Sequence, residues 1–368
     1  MVVTNIFKTY FLPGFVIQSV LMAGGFGTGR EIVEFFTNFG SVGGLLGLLT
    51  AFILFSLVIS LSFKFSLKFA AFDYQNFFSN LIGKFAISYE ITYLLSLVLV
   101  LSIISAAAGK LIADYLLLPK IAGIILLLVL ILSLLTFGRK HVANFLVLST
   151  SCVYLVLSVV VTFVFIEGWE QIVSNLQQAE IKAGWFLSGS KFTLYNIAVI
   201  PGLLFACKGI KTSKQATISG VLAAAILIIP GIMIHFILLS DYPSVTEQSL
   251  PIFSVIAEMG LSTIMPFYIL MLFLTFTATA LGLIEGFLER VNKFVINKQN
   301  KPLSIKSSLV IGTSLMGISF VLSKVGMIAL IANGYSLLAY CMLVIYVVPL
   351  FLFFLNKKFK SKPAPTSS

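Results

Sequence analysis

The sequence predicts an all-α, polytopic membrane protein with ten transmembrane helices, and three observations lead to that prediction. Of its 368 residues, 59% are hydrophobic and only 10% are charged, whereas soluble domains carry about 25% charged residues. Apolar segments of roughly 20 residues, long enough to cross a bilayer as a helix, recur from end to end. Lys and Arg residues collect in alternate connections between these segments, which is typical of a chain that crosses a membrane repeatedly.

The predicted spans divide the chain into two halves of five. They lie at about 10–38, 42–66, 86–117, 119–137 and 142–166, and then at about 188–212, 216–240, 264–290, 306–323 and 325–355. A polar extracellular connector, 167–187, separates the first repeat (10–166) from the second (188–355), and short polar ends, 1–9 and 356–368, flank this single membrane domain. With five spans per half, the halves form an inverted repeat if they are a repeat at all.

The distribution of positive charge predicts the orientation in the membrane. With a cytoplasmic N-terminus, most Lys and Arg residues fall inside, and the outside keeps Arg30, Lys110, Lys120, Lys182, Lys191 and Lys324. An even number of spans also places the Lys-rich tail inside. We therefore expect a multi-pass protein of the cell (inner or plasma) membrane with both termini cytoplasmic. Its expected partners are the lipid bilayer and a small solute, and the sequence does not address its oligomeric state.

Composition also argues against several classes of function. The net charge of +11 follows the predicted topology, so it does not indicate binding to nucleic acid. Cys152, Cys207 and Cys341 lie in different apolar segments without metal-ligand spacing, which favours packing roles. His141 and His235 are isolated in the sequence. Because no Ser/His/Asp or Cys/His arrangement shares one plausible surface, we do not expect an enzyme.

The first span is interrupted by a glycine-rich stretch at residues 22–31, which reads MAGGFGTGRE. At membrane depth every backbone polar group needs a partner, so irregular backbone is tolerated only where it is buried in protein or lines a cavity. The stretch therefore predicts a discontinuous helix. In the sixth span, Pro201 and Gly202 weaken the helix, and Asn196 is placed to satisfy freed backbone groups. An ordinary proline kink explains the sixth span alone, but the pair of interruptions favours discontinuous helices 1 and 6.

Two facing helix breaks suit a small zwitterion or anion together with a co-transported cation, because they expose unpaired N–H groups and carbonyls. Thr28, Thr193 and Tyr195 are candidate hydroxyl donors to the solute. Phe26 and Phe192 are candidates to close the site against water.

In the eighth span, Thr275 and Thr279 share one helix face, where their hydroxyls would suit sodium, and no cofactor or other metal ion is expected. Hydroxyls in membrane helices also bond to the i−4 carbonyl or join helices, so both interpretations stay open.

Charged residues at membrane depth are functional candidates because burying them there is costly. Arg30, Glu31 and Glu34 follow the first break, and their spacing predicts a local ion-pair network at the outer mouth that acts as a gate or attracts solute. Glu90 and Glu285 lie in the third and eighth spans. Each of these two either carries a proton or pairs with a cytoplasmic lysine near its helix end.

These motifs resemble those of a known family. The run AGGFGTGRE at 23–31 resembles the unwound segment of LeuT-fold transporters in the amino acid–polyamine–organocation superfamily. The run GTGREIVEFF at 27–36 is most similar to the YkvI-type bacterial membrane proteins, which are largely uncharacterised. The sixth span, with FTL before its break and KGIK after it, and the eighth span, with Thr279 and Glu285, are similar to sodium-coupled members. The resemblance covers 10–355 and implies a ten-helix inverted repeat, with the solute between the first, third, sixth and eighth spans.

The resemblance also implies binding residues. Sodium would lie between the first and eighth spans, at Ala23, Phe26, Thr275, Ala278 and Thr279. The solute would contact Gly24, Gly25, Phe26, Gly27, Thr28, Phe192, Thr193, Tyr195 and Asn196, with Ser102 from the third span. Ala278 stands where sodium-dependent members have a second hydroxyl, which argues against sodium coupling. The fifth span has no lysine to act as a fixed cation, which argues for it.

Two functions follow from these observations. The first is a secondary active transporter of an amino acid or similar small organic solute, coupled to sodium or protons by alternating access. The alternative is a membrane sensor or receptor subunit of the same fold that binds the solute without transporting it. The sequence offers no soluble signalling domain, which lowers the weight of the alternative.

Overall fold

The computed structural model describes residues 6–21, 24–136, 139–299 and 302–356, and these residues form helices joined by turns, with no β-strand among them. Within these ranges, seven helices are long and apolar enough to cross a membrane. An eighth span is present if Ser151–Glu167 and Trp169–Gln177, which are bent by 75° at their junction, are counted together. The fold is thus that of an all-helical membrane protein, as predicted.

The α-helices in chain order are α1 Leu12–Leu21, α2 Gly24–Gly27, α3 Arg30–Phe35, α4 Ser41–Phe69, α5 Tyr74–Ile82, α6 Ile87–Leu116, α7 Lys120–Thr136, α8 Arg139–Glu167, α9 Trp169–Gln177, α10 Trp185–Asn196, α11 Ser213–Leu239, α12 Pro251–Glu258, α13 Met265–Gln299, α14 Ile305–Ser323 and α15 Met327–Leu355. Helix α10 continues in 3₁₀ form over Ile197–Gly209, and α15 includes π-helical turns at Leu330–Tyr335 and Leu343–Val347.

Most predicted spans coincide with one long helix each, for example α6 with the predicted span 86–117. Two do not reach spanning length as single helices. The predicted fourth span is α7, which has 17 residues, and the predicted first span is divided among α1, α2 and α3. The count of ten spans and the inverted repeat therefore remain predictions.

The helices pack in two groups. In the first, α4 packs against α10 and α11, and α1 packs against α11. In the second, α6 packs against α7 and α14, while α13 packs against α8. The short helix α2 contacts both α6 and α13 of the second group. The glycine-rich stretch is therefore held where the two groups meet.

Small residues allow the closest helix crossings. A Cβ on Gly220 of α11 would lie 2.7 Å from the backbone nitrogen and 2.8 Å from the Cα of Ser60 in α4. A Cβ on Gly189 of α10 would lie 2.3 Å from the carbonyl oxygen of Gly47 in α4. Because lipid tails are as apolar as the helix surfaces, close backbone contact of this kind is a principal source of helix association in membranes.

We expect Gly220→Ala to destabilise the protein, because the obstructing atoms include the backbone N and Cα of Ser60 and the α4–α11 crossing must widen. Overpacking of this kind costs about 1–3 kcal/mol, which a thermal unfolding curve in detergent detects as a lower Tm. Gly317→Ala on α14 is the control, since a Cβ there meets no atom within 4 Å. Equal Tm values for the two variants would contradict the close crossing.

Candidate functional site

The glycine-rich stretch forms two short helices joined by a tight turn. Thr28 and Gly29 separate α2 from α3, and Gly29 has a φ of 81°, in the left-handed region that favours glycine. The Gly29 N–H donates to the Phe26 carbonyl at 3.0 Å. The Thr28 hydroxyl donates to the Gly25 carbonyl at 2.8 Å. The side chain of Thr28 thus stabilises the turn instead of facing a solute.

Glu31, the second residue of α3, points into the protein. Its carboxylate is buried, with the residue only 4% exposed. It accepts a hydrogen bond from the Tyr195 hydroxyl at 2.5 Å and another from the Tyr335 hydroxyl at 3.3 Å. The two tyrosine rings stack with centroids 4.1 Å apart and planes 10° apart. A Cβ on Gly25 would lie 2.1 Å from the carboxylate oxygen Oε1, so the glycine leaves room for the Glu31 side chain.

A cavity of about 1090 Å³ extends from this carboxylate to the protein surface. Its inner end is lined by the buried residues Glu31, Tyr195 and Tyr335, and its wide end by the exposed residues Asp73 and Lys208. In the predicted topology the wide end faces the cytoplasm. The cavity gives the buried carboxylate a path to one side of the membrane.

The opposite side of the glycine-rich stretch is closed by Arg30. The residue is 3% exposed, and its guanidinium donates to the carbonyls of Thr246 at 2.7 Å and Gln248 at 3.1 Å. It also forms an ion pair with Glu34 at 2.8 Å. The Ile252 N–H, at the start of α12, donates to the Thr28 carbonyl at 3.2 Å. The loop before α12 and α12 itself therefore cover the turn.

The sixth-span interruption takes a different form from the predicted gap. The chain changes from α to 3₁₀ winding after Asn196 and runs without a break past Pro201. In 3₁₀ winding the Ala198 carbonyl would accept from residue 201, but proline has no N–H. The Tyr89 hydroxyl donates to that carbonyl at 3.0 Å. The backbone group freed by proline is therefore satisfied by Tyr89 and not by Asn196, whose amide donates to the Phe192 carbonyl at 2.9 Å.

The structure does not bring all the predicted solute residues to the cavity. Tyr195 and Asn196 line the cavity. Thr193 and Ser102 are buried, and their hydroxyls donate to backbone carbonyls of their own helices, at 3.2 Å and 2.7 Å. Gly24 and Gly27 lie in α2. Phe26 and Phe192 line a small separate void.

The predicted ion residues are placed only in part. Thr275, Ala278 and Thr279 all line the cavity, but Ala23 lies outside the described residues. The Thr275 hydroxyl donates to the Met271 carbonyl at 2.8 Å, which is the i−4 bond that the sequence left open. An ion at this hydroxyl would have to use its remaining lone pair.

The predicted charge network at the outer mouth needs one correction. Arg30 and Glu34 pair as their i,i+4 spacing predicts, but Glu31 faces the cavity and takes no part. Glu31 lies about 100° around the helix from Arg30, and its carboxylate accepts hydrogen bonds from Tyr195 and Tyr335 instead of joining the pair. The expectation that Glu31 lies at the outer mouth is also wrong, since its carboxylate is at the inner end of the cavity.

Glu90 pairs with an arginine and not with a lysine. Its carboxylate lies 2.5 Å from Arg290 of α13. The guanidinium carbon is also 3.6 Å from the ring centroid of Tyr93 and 4.0 Å from that of Tyr74, a cation–π arrangement. Glu285 lies five residues earlier on α13 and is partly buried.

Sequence reasoning missed Tyr335, which completes the site from α15. The signal for it was weak. Tyr335 directly follows Asn333 and Gly334 inside an apolar span, and the structure places these residues in a π-helical turn. Single π-turns inside helices often occur at functional sites, but their positions cannot be read from hydropathy.

Together these elements define a membrane protein whose cavity, built around a helix interruption, opens to one side. No protein-family model matches the chain. It is 25% identical over 331 residues to the uncharacterised membrane protein YkvI of Bacillus subtilis (strain 168). The aligned residues cover 89% of this chain and 91% of that protein.

Solved structures show the fold. The chain is similar to a Na⁺-coupled sialic acid symporter in a substrate-bound outward-open state, with a TM-score of 0.63, 15% identity, and coverage of 93% of this chain and 78% of that one. It is similar to MhsT in complex with L-phenylalanine, with a TM-score of 0.63, 16% identity, and coverage of 92% and 88%. It is also similar to a manganese transporter of Eremococcus coleocola, with a TM-score of 0.61, 12% identity, and coverage of 96% and 82%. The predicted LeuT fold is confirmed.

Proposed function

We propose that the protein is a secondary active transporter of an amino acid or similar small organic solute. The single observation that carries the proposal is the one-sided cavity, which ends at Glu31 and is sealed on its other side by Arg30. A transporter that works by alternating access needs a site reachable from one face at a time. The likeness to symporters for sialic acid and to MhsT bound to L-phenylalanine supports a small organic solute.

The finer architecture belongs to the same proposal. It has ten spans in a 5+5 inverted repeat, with helix 1 discontinuous, helix 6 interrupted by the change from α to 3₁₀ winding, and both termini in the cytoplasm of a cell-membrane protein. The left-handed Gly29 and the proline-containing 3₁₀ stretch support two interruptions at corresponding places. Helix interruptions at a repeat interface are where such transporters bind solute and ion.

Alternating access then requires specific contacts to break. In the conformation described, Arg30 holds the loop at Thr246 and Gln248. Opening to the outside requires the guanidinium to leave both carbonyls and requires α12 to release the Thr28 carbonyl. The cavity must narrow at its wide end during the same step, near the Glu90–Arg290 pair.

Solute uptake into proteoliposomes tests the proposal. A broad panel of labelled amino acids and small amines is presented with a sodium gradient, with a proton gradient, and with neither. We expect gradient-driven accumulation of at least one solute. Binding by calorimetry without flux for every solute would instead assign the protein to the class of membrane sensors.

Sodium coupling is proposed through the cavity-lining face of α13. If Thr279 is a sodium ligand, Thr279→Ala should remove the sodium dependence of uptake while the expression level and Tm stay unchanged. Thr277→Ala is the matched control, because Thr277 is on the same helix, is buried and is absent from the cavity lining. Unchanged sodium dependence in Thr279→Ala would show that the ion site lies elsewhere or that protons drive transport.

A further inference from the structure

We propose that Glu31 is the group that binds a protonated amino group on the solute, so that the transported class is small primary amines with an apolar body, free amino acids included. This inference rests on the proposed function, since it names the substrate class of the same cavity. The argument starts from what surrounds the carboxylate.

The Glu31 carboxylate has neutral partners. Its hydrogen-bond donors are the hydroxyls of Tyr195 and Tyr335. Among the described residues it forms no ion pair with Lys, Arg or His. A buried carboxylate held only by neutral donors is costly, and a cation that enters the cavity relieves that cost.

The nearest cation in the sequence is directed away from this carboxylate. Arg30 uses its guanidinium on Glu34 and on the carbonyls of Thr246 and Gln248, on the opposite side of the turn. The charged residues Lys208 and Arg290 line the cavity toward its wide end. Among the described residues, the cations near the cavity are therefore engaged elsewhere or lie toward its wide end, and none of them pairs with Glu31.

The surrounding surface selects the rest of the solute. The Tyr195 and Tyr335 hydroxyls are occupied by the carboxylate, so their stacked rings form a rigid wall beside it. Val100, Val199 and Ala278 contribute apolar surface to the same cavity. An ammonium group at Glu31 with a compact apolar body against this surface satisfies both features, and the amine is protonated at pH 7 because alkyl ammonium groups titrate near the pKa of lysine, about 10.4.

The test compares amines with alcohols of the same shape. Purified protein is titrated by calorimetry with isoamylamine and isoamyl alcohol, and with phenethylamine and 2-phenylethanol, in sodium and in potassium buffers. We expect the amine of at least one pair to bind at least about 30-fold more tightly than its alcohol, as for a desolvated charge pair. This comparison uses the unaltered protein, so it does not depend on a variant that folds.

Variants then assign the preference to one residue. Glu31→Gln keeps the side-chain size and should reduce the amine preference to less than about threefold, whereas Glu31→Asp should retain part of it. Glu170→Gln is the control, since Glu170 is exposed on α9 and far from the cavity lining. Equal amine affinity in Glu31→Gln and the unaltered protein overturns the proposal, as does a panel in which no amine binds.

Three outcomes separate this inference from the proposed function. Flux of a neutral or anionic solute that persists in Glu31→Gln overturns the amine site but leaves the transporter intact. Amine binding that requires Glu31 but is never accompanied by flux supports the site and contradicts transport. If Glu31→Gln removes only the response to sodium or to pH, the carboxylate holds the coupling ion and the amine proposal is overturned.

Discussion

Gly25→Leu is expected to abolish solute binding. A Cβ at this position already lies 2.1 Å from the Glu31 carboxylate oxygen, and the leucine side chain needs more space still. The Glu31 side chain is flexible and will move before the backbone does, so the protein should fold while the carboxylate leaves its two tyrosines. A loss of affinity of at least about 30-fold follows if that carboxylate binds the solute.

Graded variants make the Gly25 prediction specific. Gly25→Ala should give an intermediate loss of affinity in calorimetry. Gly282→Ala is the matched control, because Gly282 also lines the cavity but a Cβ there meets no atom within 4 Å. If Gly25→Leu binds and transports solute normally with an unchanged Tm, the glycine does not define the site.

Arg30→Met is expected to release the outer loop. It removes the hydrogen bonds to Thr246 and Gln248 and the ion pair with Glu34. Hydrogen bonds from a charged donor are each worth about 1.5–3 kcal/mol, so the closed conformation should lose about 3 kcal/mol, a factor on the order of 100 in its population. The measurable results are slower uptake and faster proteolysis of the loop at residues 244–250.

Lys110→Met is the control for loss of a cation on the same predicted side. The Lys110 side chain is partly exposed and lies 2.8 Å from Asp114 of the same helix. Exposed pairs of this kind contribute about 0–1 kcal/mol, so uptake and proteolysis should change little. Equal proteolysis rates for Arg30→Met and Lys110→Met would mean that other contacts hold the loop.

The sequence predicted the class of fold because hydropathy and charge bias are set by the bilayer, which acts on every span alike. It also predicted helix interruptions at the glycine-rich stretch and near Asn196, since proline and glycine weaken helices wherever they stand. The Arg30–Glu34 pair followed from helical spacing alone.

The sequence could not predict contacts between distant segments. Glu31 and Tyr335 are separated by 304 positions, and no local pattern reports their hydrogen bond. Whether a threonine hydroxyl faces a cavity or its own i−4 carbonyl depends on rotamer and packing, so Thr193 and Thr275 could not be assigned from spacing. Tyr89, and not Asn196, donates to the freed Ala198 carbonyl. That contact likewise depends on how α6 packs beside the 3₁₀ stretch.

Labelling of a single cysteine from each face of the membrane tests the central claim, that this cavity is an alternating-access pathway. In a background lacking Cys152, Cys207 and Cys341, the variant Val100→Cys places a thiol on the cavity wall. Without solute, an impermeant maleimide should label it only from the cytoplasmic face. Added solute with a sodium or proton gradient should make it reactive from the outer face as well. Labelling confined to one face under every condition would contradict alternating access.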